Sequence, residues 1–469
     1  MHAAPGDPAR LALVPLVLAV AFFVEQLDAT IVVTALPAMA ADLHTTALRL
    51  NLVITGYVLS LALFIPLSGW TADRLGARRV FVAAVLGFTA ASVACAGATS
   101  LPMLVAFRVL QGLGGAMMTP VGRLILLRSF PPERLAAAMS QMTAPVLIGP
   151  ALGPLLGGLL TSYAGWRWIF LVNLPIGLAG ALCAWRVLPP IPPQPAARFD
   201  RRGFVLAASG IALLQILVEA LDWPQVGVAA DAALLAAAGL LLLLYGRHAR
   251  RTSHAVLDLG LFRIRAFRIG VLAGLLGRIG LNGAAFLLPL MLQLGFGCSA
   301  IQSGALTVLA AIGALLTKTV TARLLRALGF DRLLSANALL AAFAVAGFAA
   351  ATRQTPLWLA IPYVLAFGMI RSVQFSGSNA LSFSEVPRTR LGACVSLAGV
   401  AQQLGMGLGV SLAALILGRL AQHGLGQAPS FRIAFLLMAL FPLASAVGMR
   451  RLQAEDGAAV SRHRRIRPA

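Results

Sequence analysis

Near its amino end the sequence reads LALVPLVLAVAFFVEQLDATIVVTAL over residues 11–36, an apolar run whose only charged residues are Glu25 and Asp28. A helix needs about 20 apolar residues to cross the hydrocarbon core of a bilayer, and this run is long enough. It is too long for the apolar region of a cleavable signal peptide, and its two carboxylates fit such a peptide poorly. We therefore predict a first membrane-spanning helix here.

The whole chain has the same apolar character. Of its 469 residues, 59% are hydrophobic and 11% are charged, whereas about 25% are charged in an ordinary soluble domain. This composition excludes a soluble protein of this length, and also a disordered or collagen-like chain. Division at charged and Gly- or Pro-marked loops gives fourteen candidate spans. Helices are expected because backbone in lipid must satisfy its own hydrogen bonds.

The net charge of +22 is a signal of membrane topology. With both termini in the cytoplasm, 28 of the 37 Lys and Arg residues fall in cytoplasmic segments and five in external loops. Cytoplasmic loops of membrane proteins are enriched in Lys and Arg. We therefore predict an even number of spans in the bacterial inner membrane, with both termini cytoplasmic and no nucleic-acid partner.

The spans fall into groups of six, two and six. A Pro-rich and then charged segment, PPIPPQPAARFDRR at 189–202, follows the sixth span and suits a linker. The loop TADRLGARR (71–79) is echoed by TARLLRALGFDR (321–332), as two parallel halves would require. The predicted parts are an amino-terminal six-helix bundle (1–188), a linker with two inserted helices (189–264), a carboxyl-terminal six-helix bundle (265–450) and a basic cytoplasmic tail (451–469).

The two acids of the first span are the leading candidates for chemistry. Glu25 and Asp28 are three residues apart, so they share a helix face. Two carboxylates this close in a low dielectric should not both ionise easily at neutral pH. The pair suits a proton carrier or an anionic site for a cationic substrate. The alternatives are an Asp that only hydrogen-bonds to a neighbouring helix and a Glu at a packing seam.

The fourth span, FRVLQGLGGAMMTPVGR at 107–123, carries a stripe of Arg108, Gln111, Gly112 and Gly115. Glycines on one face permit close approach of another helix. Arg108 is therefore a candidate partner for the first-span carboxylates.

The fifth span contains IGPALGPLLGGLL at 148–160. Its spacing predicts a flat glycine groove for a neighbouring helix, bent by prolines; ordinary tight packing is the alternative. The residues concerned are Gly149, Pro150, Gly153, Pro154, Gly157 and Gly158.

A short turn-forming loop, GWTADRLGARR at 69–79, follows the second span. Its charged residues are expected to form ion pairs at the cytoplasmic helix ends that make and break during gating, although ordinary positive-inside charge would look the same. The residues concerned are Gly69, Asp73, Arg74, Gly76, Arg78 and Arg79.

Polar residues also lie inside the later spans, notably in RSVQFSGSNALSFSE at 371–385. A polar stripe in an apolar span faces a cavity or a partner helix rather than lipid. The candidates for lining a cavity are Gln111, Arg278, Asn282, Lys318, Arg371, Gln374, Ser378 and Gln402.

Enzymatic chemistry has little support in the sequence. There is no phosphate-binding loop or nucleophile motif, the four cysteines form no CxxC, and the six histidines fall in loops or tails. We therefore predict that the protein is not an enzyme and binds no metal or cofactor. Its expected energy source is a proton gradient rather than ATP.

Taken in order, these motifs resemble the major facilitator superfamily, and within it the fourteen-span drug:proton antiporter branch of EmrB/QacA type. The resemblance covers nearly the whole chain. LDATIVVTALP resembles the first-span motif, GWTADRLGARR the superfamily loop motif, RVLQGLGGA the fourth-span motif, GPALGPLLGG the antiporter motif and WRWIFLVNLPIG the start of the sixth span. The resemblance places Asp28 at the acidic position and Arg108 at the position implicated in proton coupling. Glu25 is not part of the general branch motif.

The resemblance implies a major facilitator fold and proton-coupled export by alternating access. The expected cargo is small, hydrophobic or cationic compounds, handled by a monomer in the lipid bilayer, and the need for a periplasmic adaptor is left open. Two alternatives remain: a dedicated exporter of one metabolite, siderophore or sugar, and a non-transporting sensor or receptor on the same scaffold.

Overall fold

Every regular element that the structure describes is helical, as the sequence predicts for backbone that must satisfy its own hydrogen bonds in lipid. The computed structural model describes residues 8–130, 134–135, 138–139, 141–142, 148–193, 199–221, 227–252, 254–453 and 455–457. The α-helices are α1 (Pro8–Asp42), α2 (Asn51–Leu75), α3 (Ala77–Ala96), α4 (Leu101–Ser129), α5 (Gly149–Tyr163), α6 (Trp168–Leu171), α7 (Asn173–Val187), α8 (Arg201–Ala220), α9 (Val228–Arg251), α10 (Arg265–Leu290), α11 (Ala300–Leu316), α12 (Lys318–Gly347), α13 (Leu357–Ser384), α14 (Leu391–Gln422) and α15 (Gln427–Met449).

The predicted number of fourteen spans is not confirmed. Within the described residues, twelve helical segments are long and apolar enough to cross a membrane. The predicted span at 301–322 corresponds to α11, which has 17 residues and ends at Leu316 before α12 begins at Lys318. The predicted span at 136–160 lies partly outside the described residues, and it overlaps α5, which has 15 residues.

Packing between helices divides the chain into two compact units. The first unit comprises Met1–Phe199 and Ala300–Val308, and the second comprises Asp200–Ser299 and Leu309–Ala469. In the first unit α1 packs on α5 and α7, while α4 packs on α2 and α3. In the second unit α10 packs on α13, α14 and α15, and α12 packs on α13 and α15.

The inserted pair, α8 and α9, belongs to the second unit. The two helices pack on each other, and α8 also contacts α14. Polar side chains secure that contact: Gln215 Nε2 donates to Ser411 Oγ at 2.6 Å, and the Ser411 hydroxyl donates to Glu219. Because these groups are buried, their mutual hydrogen bonds offset the cost of removing them from water.

The two echoed loops share a backbone feature. Gly76 lies between α2 and α3 with a φ of 90°, and Gly329 interrupts α12 with a φ of 76°. Glycine adopts this conformation readily, whereas residues with a Cβ do so at a cost. The sequence echo thus coincides with a repeated local turn.

Aromatic side chains fill the interior of the first unit, and a charged one lies among them. The Tyr57, Phe81, Phe88 and Phe170 side chains are fully buried. Arg108, also fully buried, is the largest of these side chains. A guanidinium in such surroundings requires partners, and these partners define the candidate site.

Candidate functional site

An ion pair between α1 and α4 lies at the centre of the first unit. Arg108 Nη1 lies 2.5 Å from Asp28 Oδ2, and the two side chains are 1% and 0% exposed. A charge-assisted hydrogen bond between buried groups is strong. The sequence proposes this pairing, and the structure brings the two residues together.

Asp28 receives two further hydrogen bonds, both from amide side chains. Gln111 Nε2 and Asn173 Nδ2 each donate to Asp28 Oδ1 at 2.9 Å. Both residues are fully buried. Gln111, expected to line a cavity, instead belongs to the shell around Asp28, and Asn173 ties α7 to the same carboxylate.

Arg108 is fixed by α2 as well. Its Nε donates to the Val53 carbonyl at 3.0 Å, and its Cζ lies 4.2 Å from the centre of the Tyr57 ring. The close approach of α2 and α4 depends on Gly112, where a Cβ would lie 2.6 Å from the Tyr57 carbonyl oxygen. The predicted glycine stripe therefore serves helix contact, and it positions the arginine against α2.

Glu25 has its own partner and lies slightly nearer to solvent. It is 7% exposed, and Thr119 Oγ1 donates to its Oε2 at 2.8 Å. The described hydrogen bonds of Asp28 come from Arg108, Gln111 and Asn173 rather than from Glu25. A proton shared directly between the two carboxyl groups is therefore not what the structure shows.

The glycine face of α5, formed by Gly149, Gly153 and Gly157, packs on α1. A Cβ at Gly153 would lie 2.0 Å from Thr30 Oγ1, and one at Gly157 would lie 2.4 Å from the Ile31 carbonyl oxygen. These contacts lie within about one turn of Asp28, so the neighbour for the predicted groove is the helix that carries the buried acid.

The remaining antiporter-motif residues face the first residues of α11. A Cβ at Gly158 would lie 2.5 Å from the Ala300 carbonyl oxygen, and one at Gly304 would lie 2.3 Å from the Pro154 carbonyl oxygen. Pro150 occupies the first turn of α5, where its missing N–H costs nothing. The prolines thus begin and shape the helix that separates α1 from this segment.

The loop at 69–79 forms an ion pair with another helix. Asp73 Oδ1 lies 2.6 Å from Arg128 Nη2 at the end of α4, and not against an arginine of its own loop. Arg74 stacks on Trp70 at 5.2 Å and Arg78 on Trp185 at 4.6 Å. The charge pattern of the loop does not identify the partner of Asp73, because the basic group that pairs with it comes from another helix.

The other residues of that loop have simpler roles. Arg79 is exposed. A Cβ at Gly69 would meet no atom within 4 Å, so packing does not require glycine there. Gly76, in contrast, needs its positive φ.

In the second unit the predicted stripe along α13 contacts α10. Gln374 and Ser378 are buried against α10, near Gly277 and Gly274, and Asn337 Nδ2 donates to Gln374 Oε1 at 2.9 Å. They therefore face a partner helix rather than a cavity.

Arg371 of α13 and Arg278 of α10 lie at the same contact between these two helices. Arg371 Nη2 donates to Asn282 Oδ1 at 3.1 Å, and Arg278 Nη2 donates to Asn379 Oδ1 at 2.8 Å. Gln402 lines a small pocket beside Arg278. The side chain of Lys318 lies outside the described residues.

Sequence reasoning missed Asn173, Thr119, Asn379 and Phe375. Asn173 was visible as a polar residue within the apolar segment WRWIFLVNLPIG. Thr119 and Phe375 give no such signal, because a threonine or an aromatic residue is ordinary in a membrane helix.

Comparisons with known proteins agree with this architecture. The model of the Major Facilitator Superfamily matches residues 18–410. The solved structure of PepTSo, a POT family transporter, superposes with a TM-score of 0.69 over 95% of this chain and 97% of that chain, at 16% identity. At that identity the likeness concerns the fold alone.

Curated relatives are closer in sequence. The candidate multidrug resistance protein MdtD of Pectobacterium carotovorum is 42% identical over 87% of both chains. HsrA of Haemophilus influenzae, a candidate transport protein, is 37% identical over 94% of this chain and 96% of its own. The chain is a multi-pass membrane protein, and it belongs to the Major Facilitator Superfamily.

Proposed function

We propose that this protein is a proton-coupled exporter of the multidrug efflux type, which moves small, hydrophobic or cationic compounds out of the cell by alternating access. One observation carries the proposal: a fully buried Asp28–Arg108 ion pair, held by Gln111 and Asn173. A proton on Asp28 cancels its charge and weakens its hold on Arg108. Proton binding thereby triggers a rearrangement of α1, α4 and α7.

The energy available from such a step is of the right size. Breaking a buried ion pair by removing one partner costs about 3–5 kcal/mol. Moving a two-state equilibrium from 1:99 to 99:1 needs about 5.5 kcal/mol of differential binding. We propose that protonation of Asp28 and cargo binding together drive the change of state.

The multidrug part of the proposal is supported by the name of the MdtD relatives. We further propose that the short helices α5 and α11 complete fourteen spans, that both termini lie in the cytoplasm of a bacterial inner membrane, and that the protein works as a monomer. It needs no cofactor, since the proton gradient supplies the energy.

The proposal is tested with ethidium as a cationic probe, added outside inverted membrane vesicles, where export from the cell corresponds to uptake into the vesicle lumen. Susceptibility profiling of deletion and overexpression strains first identifies further compounds. Export should require a pH gradient, and collapse of that gradient should abolish it. Export that continues without the gradient would refute proton coupling. If no compound changes susceptibility, the multidrug assignment is wrong while the transporter assignment stands.

A further inference from the structure

Two arginines lie at membrane depth in the second unit without an acidic partner. Arg278 lies near the middle of α10 and Arg371 near the middle of α13. Arg278 is 8% exposed and Arg371 is half-buried. Neither takes part in any ion pair among the residues that the structure describes. Charge at this depth is costly, so two uncompensated cations require an explanation.

The two guanidinium groups meet at one aromatic ring. The Cζ atom of Arg278 lies 4.4 Å from the centre of the Phe375 ring, and that of Arg371 lies 5.3 Å from it. The ring attracts each cation weakly through its quadrupole. It carries no net charge, however, so the two positive charges remain close together and repel each other.

Their hydrogen bonds cross between the two helices. Arg278 of α10 donates to Asn379 of α13, while Arg371 of α13 donates to Asn282 of α10. Neutral amide oxygens orient the guanidinium groups without cancelling their charge. Each guanidinium is thus oriented by the facing helix, and donors oriented in advance are what an anion site requires.

The contrast with the first unit is direct. There the buried Arg108 is neutralised by Asp28. In the second unit the neutralising charge is absent from the described residues, although asparagines occupy positions that an acid could have taken.

We propose that Arg278 and Arg371 form a binding site for the anionic group of a transported compound, namely a carboxylate, sulfonate or phosphate on a small apolar body. The inference rests on the proposed transport function and adds organic anions to its cargo. The planar fork of arginine matches such groups with two parallel hydrogen bonds. Phe375 and Asn379 are partly exposed, so the pair is accessible, and Gln402 adds a polar group beside Arg278.

The test measures binding to the purified full-length protein with one apolar body and varied charge. The probes are 2-naphthoate, 2-naphthalenesulfonate and 2-naphthyl phosphate, compared with neutral 2-naphthol and cationic 2-naphthyltrimethylammonium. A ligand that binds only the folded state stabilises it by RT ln(1 + [L]/Kd), so the melting temperature rises with ligand concentration relative to Kd. We expect at least one anion to stabilise the wild type more than neutral 2-naphthol does. Arg278→Gln and Arg371→Gln should each weaken the binding of that anion by about tenfold to a hundredfold.

Two further variants control for charge and folding. Arg432→Gln removes the same charge from an exposed position of α15 in the same unit and should bind anions like the wild type. Arg278→Lys keeps the charge but loses the fork, so it should fold even if the glutamine variants do not, and it should bind more weakly than the wild type. Equal anion binding in Arg278→Gln, Arg371→Gln and Arg432→Gln would overturn the proposal. It would also be overturned if none of the anions stabilised the wild type more than 2-naphthol does.

Asp28→Asn separates this inference from the proposed function. The binding assay uses no proton gradient, so this variant should keep the anion-induced rise in melting temperature while it loses ethidium export. If the wild type exports ethidium but binds the anions no better than the neutral probe, only the anion-site inference is refuted. Normal ethidium export by Asp28→Asn refutes the coupling assignment alone.

Discussion

Among the described residues, Asp28 and Arg108 are each other's sole partner in an ion pair, and they meet at 2.5 Å where neither is exposed by more than 1%. The pair is held by helices that are distant in sequence, since Asn173 reaches the same carboxylate across 145 residues. It therefore acts as one chemical unit, and changes to either member should be strongly coupled.

Asp28→Asn should abolish proton-driven export while the protein is still made and inserted. Asparagine keeps the shape and can accept from Arg108, but it cannot gain or lose a proton near neutral pH. The measurement is pH-gradient-dependent ethidium uptake into inverted vesicles that contain matched amounts of protein.

Asp42→Asn is the matched control for that experiment. Asp42 lies at the end of the same helix, pairs with Arg167 at 2.7 Å and is 44% exposed. An exposed pair contributes about 0–1 kcal/mol, so export should remain close to that of the wild type. Equal export by Asp28→Asn and Asp42→Asn would rule out Asp28 as the coupling site.

Arg108→Gln should destabilise the protein by about 3–5 kcal/mol, because it leaves a buried carboxylate without its counter-charge. The double variant Asp28→Asn, Arg108→Gln should recover part of this loss, since no charge is then stranded. A double-mutant cycle on the free energy of unfolding measures the coupling, which we expect to reach about 2–3 kcal/mol. Strictly additive effects would show that the pair is not formed in the membrane.

Gly153→Ala should destabilise the first unit by about 1–3 kcal/mol through overpacking, because its Cβ would lie 2.0 Å from Thr30 Oγ1. Gly87→Ala is the matched control, since Gly87 is also helical and a Cβ there meets nothing within 4 Å. That change should be neutral or stabilise by about 0.5–1 kcal/mol. Melting temperatures of the two variants, measured side by side, decide the point; equal values would contradict the observed packing.

Asp73→Asn should leave stability nearly unchanged but slow export. The Asp73–Arg128 pair is partly exposed, at 33% and 20%, so its loss should cost less than about 1 kcal/mol. It nevertheless joins the carboxyl ends of α2 and α4, which are predicted to face the cytoplasm and to take part in gating. Export rates and melting temperatures of Asp73→Asn and Arg128→Gln should show the same pattern. An unchanged export rate in both variants would show that the Asp73–Arg128 pair has no role in gating.

Much of the fold was predictable because the bilayer restricts the chain to apolar helices. The same restriction made Asp28 and Arg108 conspicuous, since few charged residues occur inside the spans. The helix limits were harder: the segment at 301–322 looks continuous in hydropathy, but the structure ends α11 at Leu316 and begins α12 at Lys318.

Partners were less predictable than residues. Hydropathy shows that Gln374 and Ser378 avoid lipid, but a helix face and a cavity satisfy that requirement equally well. Asp73 had several nearby arginines of equal formal charge, and only the packing of α2 on α4 selects Arg128. Asn173 joins Asp28 from a helix whose face cannot be assigned from its own sequence.

The glycine face of α5 also limits how the protein can change under selection. Gly149, Gly153 and Gly157 each meet atoms of α1 where a side chain would begin, so shape rejects most replacements before function is tested. Adaptation to a new compound has more room at partly exposed positions such as Phe375 and Gln402. We therefore expect the contact between α5 and α1, the helix that carries the buried acid, to tolerate few substitutions. The residues proposed to contact cargo should tolerate more.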